Sequence, residues 1–226
     1  MRLSLRHLTI ERTAFIILFI LLFAMANRIP TDTDMWWHMG TGRHVIETGE
    51  MIYTDVFSYT FDGMERINYS TVPQIIMYVA YSIVGNLGLV MYTSILAVGG
   101  MYLLYKAGRG TIYMQAFVLI FGAASAATFW SPRPQMFSFF IGTLFIYILM
   151  DYKRNGKDRL LWLIPAMWVW GNSHGGFAIG FIFLGAFIVG EFINTIFDTG
   201  DSLIDMKGIR KLVLVAIGAL AVLVLN

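Results

Sequence analysis

Three long stretches of the chain, residues 13–26, 87–105 and 174–197, run with almost no interruption by charge. A hydrocarbon layer of about 30 Å takes roughly 20 helical residues to cross, and these stretches reach or approach that length. Inside such a layer every backbone polar group must be satisfied within the segment, which leaves helices and closed barrels. The runs are continuous and show no period-two alternation, so the helical solution is expected over a transmembrane barrel. Composition agrees: of 226 residues, 58% are hydrophobic and 13% charged, against about half and a quarter in a soluble domain.

The net charge of +2 speaks against nucleic-acid binding, and the basic residues sit in short loops, where they set topology. There is no cysteine, which removes disulfides, thiolate catalysis and cysteine metal sites. Arg2, Arg6 and Arg12 precede the first apolar run in the manner of a signal peptide. No clean small-residue cleavage site follows, and further spans do, so this is read as an uncleaved first span with a cytoplasmic N-terminus.

Alternation then predicts about seven spans: residues 13–29, 87–105, 112–130, 135–150, 160–171, 177–197 and 212–225. The segment 72–85 is apolar but short and opens at Pro73. Read as a span, it would put Lys106 to Arg109 and Lys153 to Arg159 outside; read as a re-entrant or interfacial helix, it keeps both basic loops inside, and that reading is adopted. The expected architecture is an all-α transmembrane bundle, one module over 1–226. Residues 27–86 form a large first extracytoplasmic loop with juxtamembrane helices and the re-entrant helix. The chain reaches Asn226 without a charged tail, as a fragment or first module of a longer protein would.

This topology brings three polar clusters to one face of the membrane. In Asp32-Thr33-Asp34-Met35-Trp36-Trp37-His38-Met39-Gly40, Thr31 or Asp32 is placed to cap a helix. Asp34 and His38 then stand one turn apart, able to share a proton, orient each other or bind a divalent cation. The alternative is an interfacial helix anchored by Trp36 and Trp37. In Trp130-Ser131-Pro132-Arg133-Pro134-Gln135, the prolines hold Arg133 in an extended turn, where it needs a carboxylate or phosphate partner or snorkels to headgroups. In Trp170-Gly171-Asn172-Ser173-His174-Gly175-Gly176-Phe177, Asn172 and His174 are polar groups between apolar runs, either functional or lying among headgroups. His44, Glu47 and Glu50 read as a solvated face, and Glu191 as structural near the cytoplasmic boundary. No phosphate-binding glycine loop, zincin motif or nucleophile elbow is present.

Together these clusters resemble the N-terminal module of GT-C glycosyltransferases, in a prokaryotic branch with an Asp-x-Asp-x-Trp-Trp-His start. The likeness runs from Asp32 to His38, through Gly42, Arg43, Ile46 and Gly49 to Thr54-Asp55-Val56-Phe57-Ser58-Tyr59-Thr60, then Arg133-Pro134-Gln135 and the Asn172 to Phe177 segment. It implies a transferase of the prokaryotic plasma membrane that moves a sugar from a polyprenyl-phosphate lipid at the extracytoplasmic face. Asp34, with Asp32 second, is the implied catalytic carboxylate, acting as base for the acceptor hydroxyl or orienting it, with His38 beside it. A divalent metal ion at Asp34 and His38 is an expected option rather than a requirement. Arg133 and His174, with Gln135, Asn172 and Trp37, are the expected substrate-binding residues. Ile67-Asn68-Tyr69-Ser70-Thr71-Val72 carries no acid where the resemblance leads one to expect a second carboxylate. The alternatives are a catalytically degenerate module serving as a subunit of a membrane complex, and a small transporter, for which the spans carry too little charge.

Overall fold

The computed structural model describes residues 9–197 and 204–225. Arg2, Arg6 and His7, the 198–203 part of the last basic loop and Asn226 lie outside the described residues. Nine α-helices occur among the described residues: α1 (Ile10–Ala26), α2 (Asp34–Thr48), α3 (Thr71–Val84), α4 (Asn86–Ala107), α5 (Ile112–Ala126), α6 (Gln135–Asn155), α7 (Leu163–Gly171), α8 (Ala178–Phe197) and α9 (Met206–Val224). Short 3-10 turns extend α5 and lead into α7 and α8. The only bridge among the described residues joins Thr54 and Glu65.

Local chemistry sets the helix ends. Thr9 and Thr111 accept hydrogen bonds from the N–H groups of Arg12 and Met114 to start α1 and α5, and Asp205 accepts from Gly208 to start α9; each satisfies a donor with no intrahelical partner. α6 runs to Asn155, past the predicted end at residue 150. Its last turn carries Lys153 and Arg154, which favour a helix C-terminus, so the helix outlasts its apolar segment.

Four helical segments are long and apolar enough to cross a membrane: Asn86–Ala107, Ile112–Phe129, Gln135–Asn155 and Gly175–Phe197. Thr71–Val84 and Leu160–Gly171 are apolar but shorter. Large apolar side chains face outward, Phe117 74% and Phe121 72% exposed on α5 and Ile182 65% on α8. Such a surface suits hydrocarbon as solvent, and the helices are those of an integral membrane protein.

The interior is two apolar cores side by side. One joins α1, α4 and α5 through Leu18, Leu22, Ala97, Met101 and Leu119, with Met35, Met39 and Met77 reaching in from α2 and α3. The other joins α6 to α9 through Phe145, Leu163, Met167, Trp170 and Leu212. They meet where α4 presents Gly99 and Gly100 to Phe140 and Phe139 of α6.

Side-chain contacts sort the helix ends into two groups. At one end Arg28 donates to the Ala127 carbonyl, Tyr92 to the Arg133 carbonyl and Arg133 to Asp32. At the other, Arg154 reaches the Ala107 carbonyl, Lys153 pairs with Glu191 and Lys211 with Asp158. The basic loops thus share the end opposite the three polar clusters. α3 begins among the clusters, and Gly85 alone joins it to α4, whose Tyr92 is again at Arg133. This hairpin is tight: a Cβ on Gly88 would lie 2.0 Å from the Ala80 carbonyl oxygen.

Candidate functional site

Arg133 sits at the centre of the clustered end. Its backbone is held twice, by its N–H to the Ser131 carbonyl at 2.7 Å and by the Tyr92 hydroxyl on its own carbonyl at 2.9 Å. Its Nη2 donates to Asp32 Oδ1 at 2.5 Å, and its Nε lies 2.5 Å from Asp32 Oδ2, a side-on pairing. The same Nη2 lies 2.9 Å from Asp34 Oδ2. Asp32 also accepts the Asp34 N–H at 3.0 Å. Helix α2 begins at Asp34, later than predicted, with the Asp32 carboxylate serving its first N–H. The two acids differ in access: side-chain exposure is 15% for Asp32 and 47% for Asp34. Burial alone would raise the Asp32 pKa, but the hydrogen bonds from Arg133, the Asp34 N–H and Ser131 outweigh it and hold the carboxyl below the usual range.

Beside this clamp lies a cavity of about 440 Å³ walled by Trp37, His38, Arg66, Arg133, Gln135 and His174, among others. The Arg66 guanidinium stacks 4.4 Å above the Trp37 ring. Among the described residues no carboxylate lies within ion-pair distance of it.

The hydrogen-bond direction at both imidazoles is set from within the protein. The Ser70 backbone N–H donates to Asn68 Oδ1 at 3.2 Å, so the Asn68 amide nitrogen is the group that donates to Gln74 Oε1 at 2.8 Å. Gln74, fully buried, must therefore donate from Nε2 to His38 Nδ1, 3.1 Å away. At His174 the Gly176 backbone N–H donates to Nδ1 at 3.1 Å. Ser138 Oγ, which accepts from Trp170 Nε1 at 2.7 Å, donates to the same atom at 2.8 Å. Both rings accept at Nδ1 and carry their proton on Nε2. Burial lowers both pKa values, that of His38 to about 4, where the Arg133 and Arg66 charges also contribute. At neutral pH the pair are uncharged N–H donors.

Two further hollows adjoin Arg133. One, of about 320 Å³, is lined by Arg28, Asp32, Thr93, Trp130, Arg133 and Gln135, among others. The other is an apolar groove of about 340 Å³ between α3, α4 and α6, walled by Ile76, Ile83, Met91, Tyr92, Ile95 and Phe137, among others. Tyr92 links this groove to the clamp through its hydroxyl.

Of the residues singled out in the sequence, Asp32, Asp34 and Arg133 form one ion-paired group, and Trp37, His38, Arg133, Gln135 and His174 wall one cavity. Asn172 is not in that wall, and its amide donates to the Trp168 carbonyl at 2.9 Å. Asp34 and His38 share no hydrogen bond among the described residues: Asp34 turns to Arg133 and His38 to Gln74. No group of three His, Asp or Glu side chains is placed to hold a metal ion among the described residues. A metal at His38 would require either Nδ1, engaged by Gln74, or Nε2, which carries the proton. Sequence reasoning passed over Arg66, Asn68, Gln74 and Ser138. Gln74 and Ser138 were detectable as polar groups inside apolar runs, which need partners; Arg66, in a long polar loop, carried no such signal.

Comparison with family models, with curated proteins and with solved structures finds no match.

Proposed function

We propose that this chain is a membrane glycosyltransferase of GT-C type, or the N-terminal module of one, taking a sugar from a polyprenyl-phosphate donor at the extracytoplasmic face. The observation that carries this is the cavity beside the Asp32–Arg133–Asp34 group. It offers a guanidinium without an ion-pair partner among the described residues, Arg66, and two imidazoles held as N–H donors, and it opens beside a half-exposed carboxylate.

A phosphate ester fits those donors. Arg133 already faces two carboxylates, so Arg66 supplies the main attraction for the anion, and the His38 and His174 Nε2–H groups hydrogen-bond its oxygens. The apolar groove beside Tyr92 accommodates the start of the isoprenoid chain. In the transfer, the acceptor hydroxyl oxygen bonds to the anomeric carbon and the carbon–oxygen bond to phosphate breaks. The phosphate leaves with the electron pair, and the hydroxyl proton passes to Asp34. Donors already aimed at the leaving oxygen stabilise its developing charge. Asp32, ion-paired to Arg133 and accepting the Asp34 N–H, positions rather than reacts.

In the membrane, the basic end faces the cytoplasm. α1 and α4 to α9 make seven crossings, α3 is re-entrant, and the N-terminus is cytoplasmic, in a prokaryotic plasma membrane. Alternating crossings then put every cluster residue outside.

Binding of polyprenyl phosphate to the full chain in nanodiscs tests this reading. Arg66→Gln is expected to weaken it about tenfold or more, with thermal stability unchanged. Lipid binding that survives Arg66→Gln intact would remove the phosphate from this cavity. Binding without any sugar transfer would favour an accessory subunit over an enzyme.

A further inference from the structure

Where α4 and α6 end together, they and the turn after α4 enclose a cavity of about 130 Å³. Lys106, Arg109 and Arg154 line it, with Asp151 and Asn155 on the same wall. Lys106 and Arg109 are exposed. Arg154 is half-buried, and its Nη1 donates to the Ala107 carbonyl. That bond pins the guanidinium at the cavity and leaves its other nitrogens without a protein partner among the described residues.

Positive charge is in excess here. Asp151, the one acid in the wall, is 6% exposed, accepts from Asn155 at 2.7 Å and has Lys157 and Arg159 at 4.0 and 3.9 Å. Those two cations offset it. None of the three lining cations has a carboxylate within ion-pair distance among the described residues. The C-termini of α4 and α6 contribute roughly half a negative charge each, too little to balance three cations. The wall is therefore complementary to an anion.

Size and position narrow that anion. Pockets that enclose a whole small molecule run to about 300–1,000 Å³. This one takes a single small group such as a phosphate, with the rest of the molecule outside. Both helices are long and apolar enough to cross a membrane, so their shared end stands at headgroup depth. Tyr102, 44% exposed, lies one turn before Lys106 on the same face of α4, and Tyr113, 54% exposed, opens α5 beside the turn. Exposed tyrosines suit that boundary.

We infer that this cavity holds the phosphate of an anionic phospholipid from the leaflet at the basic end, its acyl chains running along the outer surface beside Tyr102. Lys106 and Arg109 belong to α4 and the turn after it, Arg154 to α6, so the phosphate bridges the two apolar cores. The site lies at the opposite end of the helices from Arg133, and the inference does not rest on the transferase reading.

Native mass spectrometry of the full chain in detergent tests it, with phosphatidylglycerol, phosphatidylcholine and glycerol 3-phosphate as probes. Each titration is run in wild type and in the Arg66→Gln chain, which separates this site from the cavity at the other end. Phosphatidylglycerol is expected to bind about tenfold more tightly than either other probe. Lys106→Gln with Arg109→Gln should weaken it about tenfold or more in both backgrounds, at roughly fivefold per charge. Lys207→Gln with Arg210→Gln, an equal change of charge on exposed residues outside the cavity, should leave it within about twofold. Should the first pair not fold, Arg109→Gln alone, in an exposed turn, is expected to weaken binding about fivefold. No preference for phosphatidylglycerol, or equal weakening by the two pairs, overturns the site. Glycerol 3-phosphate bound as tightly as the lipid overturns the lipid assignment in favour of a soluble phosphate.

Discussion

Gln74 of α3 donates to Nδ1 of His38 on α2 across 3.1 Å, and a chain of amides running back to the Ser70 backbone N–H sets the direction of that bond. The imidazole is thereby held neutral, with its proton on Nε2, in a site that burial and two guanidinium charges make hostile to an imidazolium.

The folded-state pKa of about 4 lies below the 6.5 of an unhindered histidine. Between those values the unfolded chain binds a proton that the folded one does not, so His38 favours folding fully above pH 6.5. That contribution is lost as pH falls towards 4, by about 3 kcal/mol. Denaturation followed from pH 8 to 4 should show this decline, and His38→Gln should flatten it. A wild-type profile as flat as that of the variant would mean His38 is not held neutral.

The two acids of the clamp separate by function. Asp34→Asn should lower sugar transfer by about 10²–10⁴-fold while leaving insertion and thermal stability near wild type, because Asp34 is half exposed. Asp32→Asn removes the side-on partner of Arg133 and should cost stability as well, about 1–3 kcal/mol. Unchanged transfer in the Asp34 variant removes that residue from the mechanism.

Gly42 is where α2 and α3 touch. A Cβ there would stand 2.1 Å from the Gln74 carbonyl oxygen, and backbone cannot swing aside as a flexible side chain does. Gly42→Ala should force the helices apart, cost about 2–3 kcal/mol and pull Gln74 from His38. The His38 imidazole resonances, observed by NMR in labelled protein, would register the lost contact; resonances that stay in place would show the helices accommodate a methyl.

At the opposite end Lys153 pairs with Glu191, which is 3% exposed with one carboxylate oxygen unpartnered. Glu191→Gln leaves the ammonium uncompensated and should cost about 3 kcal/mol, whereas Lys153→Met combined with Glu191→Leu should recover most of it. A double variant as unstable as the single one would show that the pair contributes more than mutual neutralisation.

Helix positions were legible from residue order alone wherever an apolar run was long: α4, α5, α6 and α8 lie close to where hydropathy put them. The turn at Arg133 announced itself by its two prolines, and the acids at 32 and 34 by their place after the first run. Less legible was which acid would be clamped, since Asp32 and Asp34 differ only in how α2 leaves the loop. Nor could residue order tell that His174 would join the cavity wall while Asn172, two positions earlier, lies outside it and donates to the Trp168 carbonyl.

The chain's own order determined an all-helical bundle with basic residues in its loops, because hydrocarbon thickness and backbone satisfaction act on neighbouring residues and are written in run length. Only the tertiary structure decided that Arg133 closes on an acid 101 positions away, that Arg66 joins the cavity, and that both histidines donate. Hydrogen-bond direction and charge compensation belong to pairs of groups, and the partners here arrive from separate helices and loops.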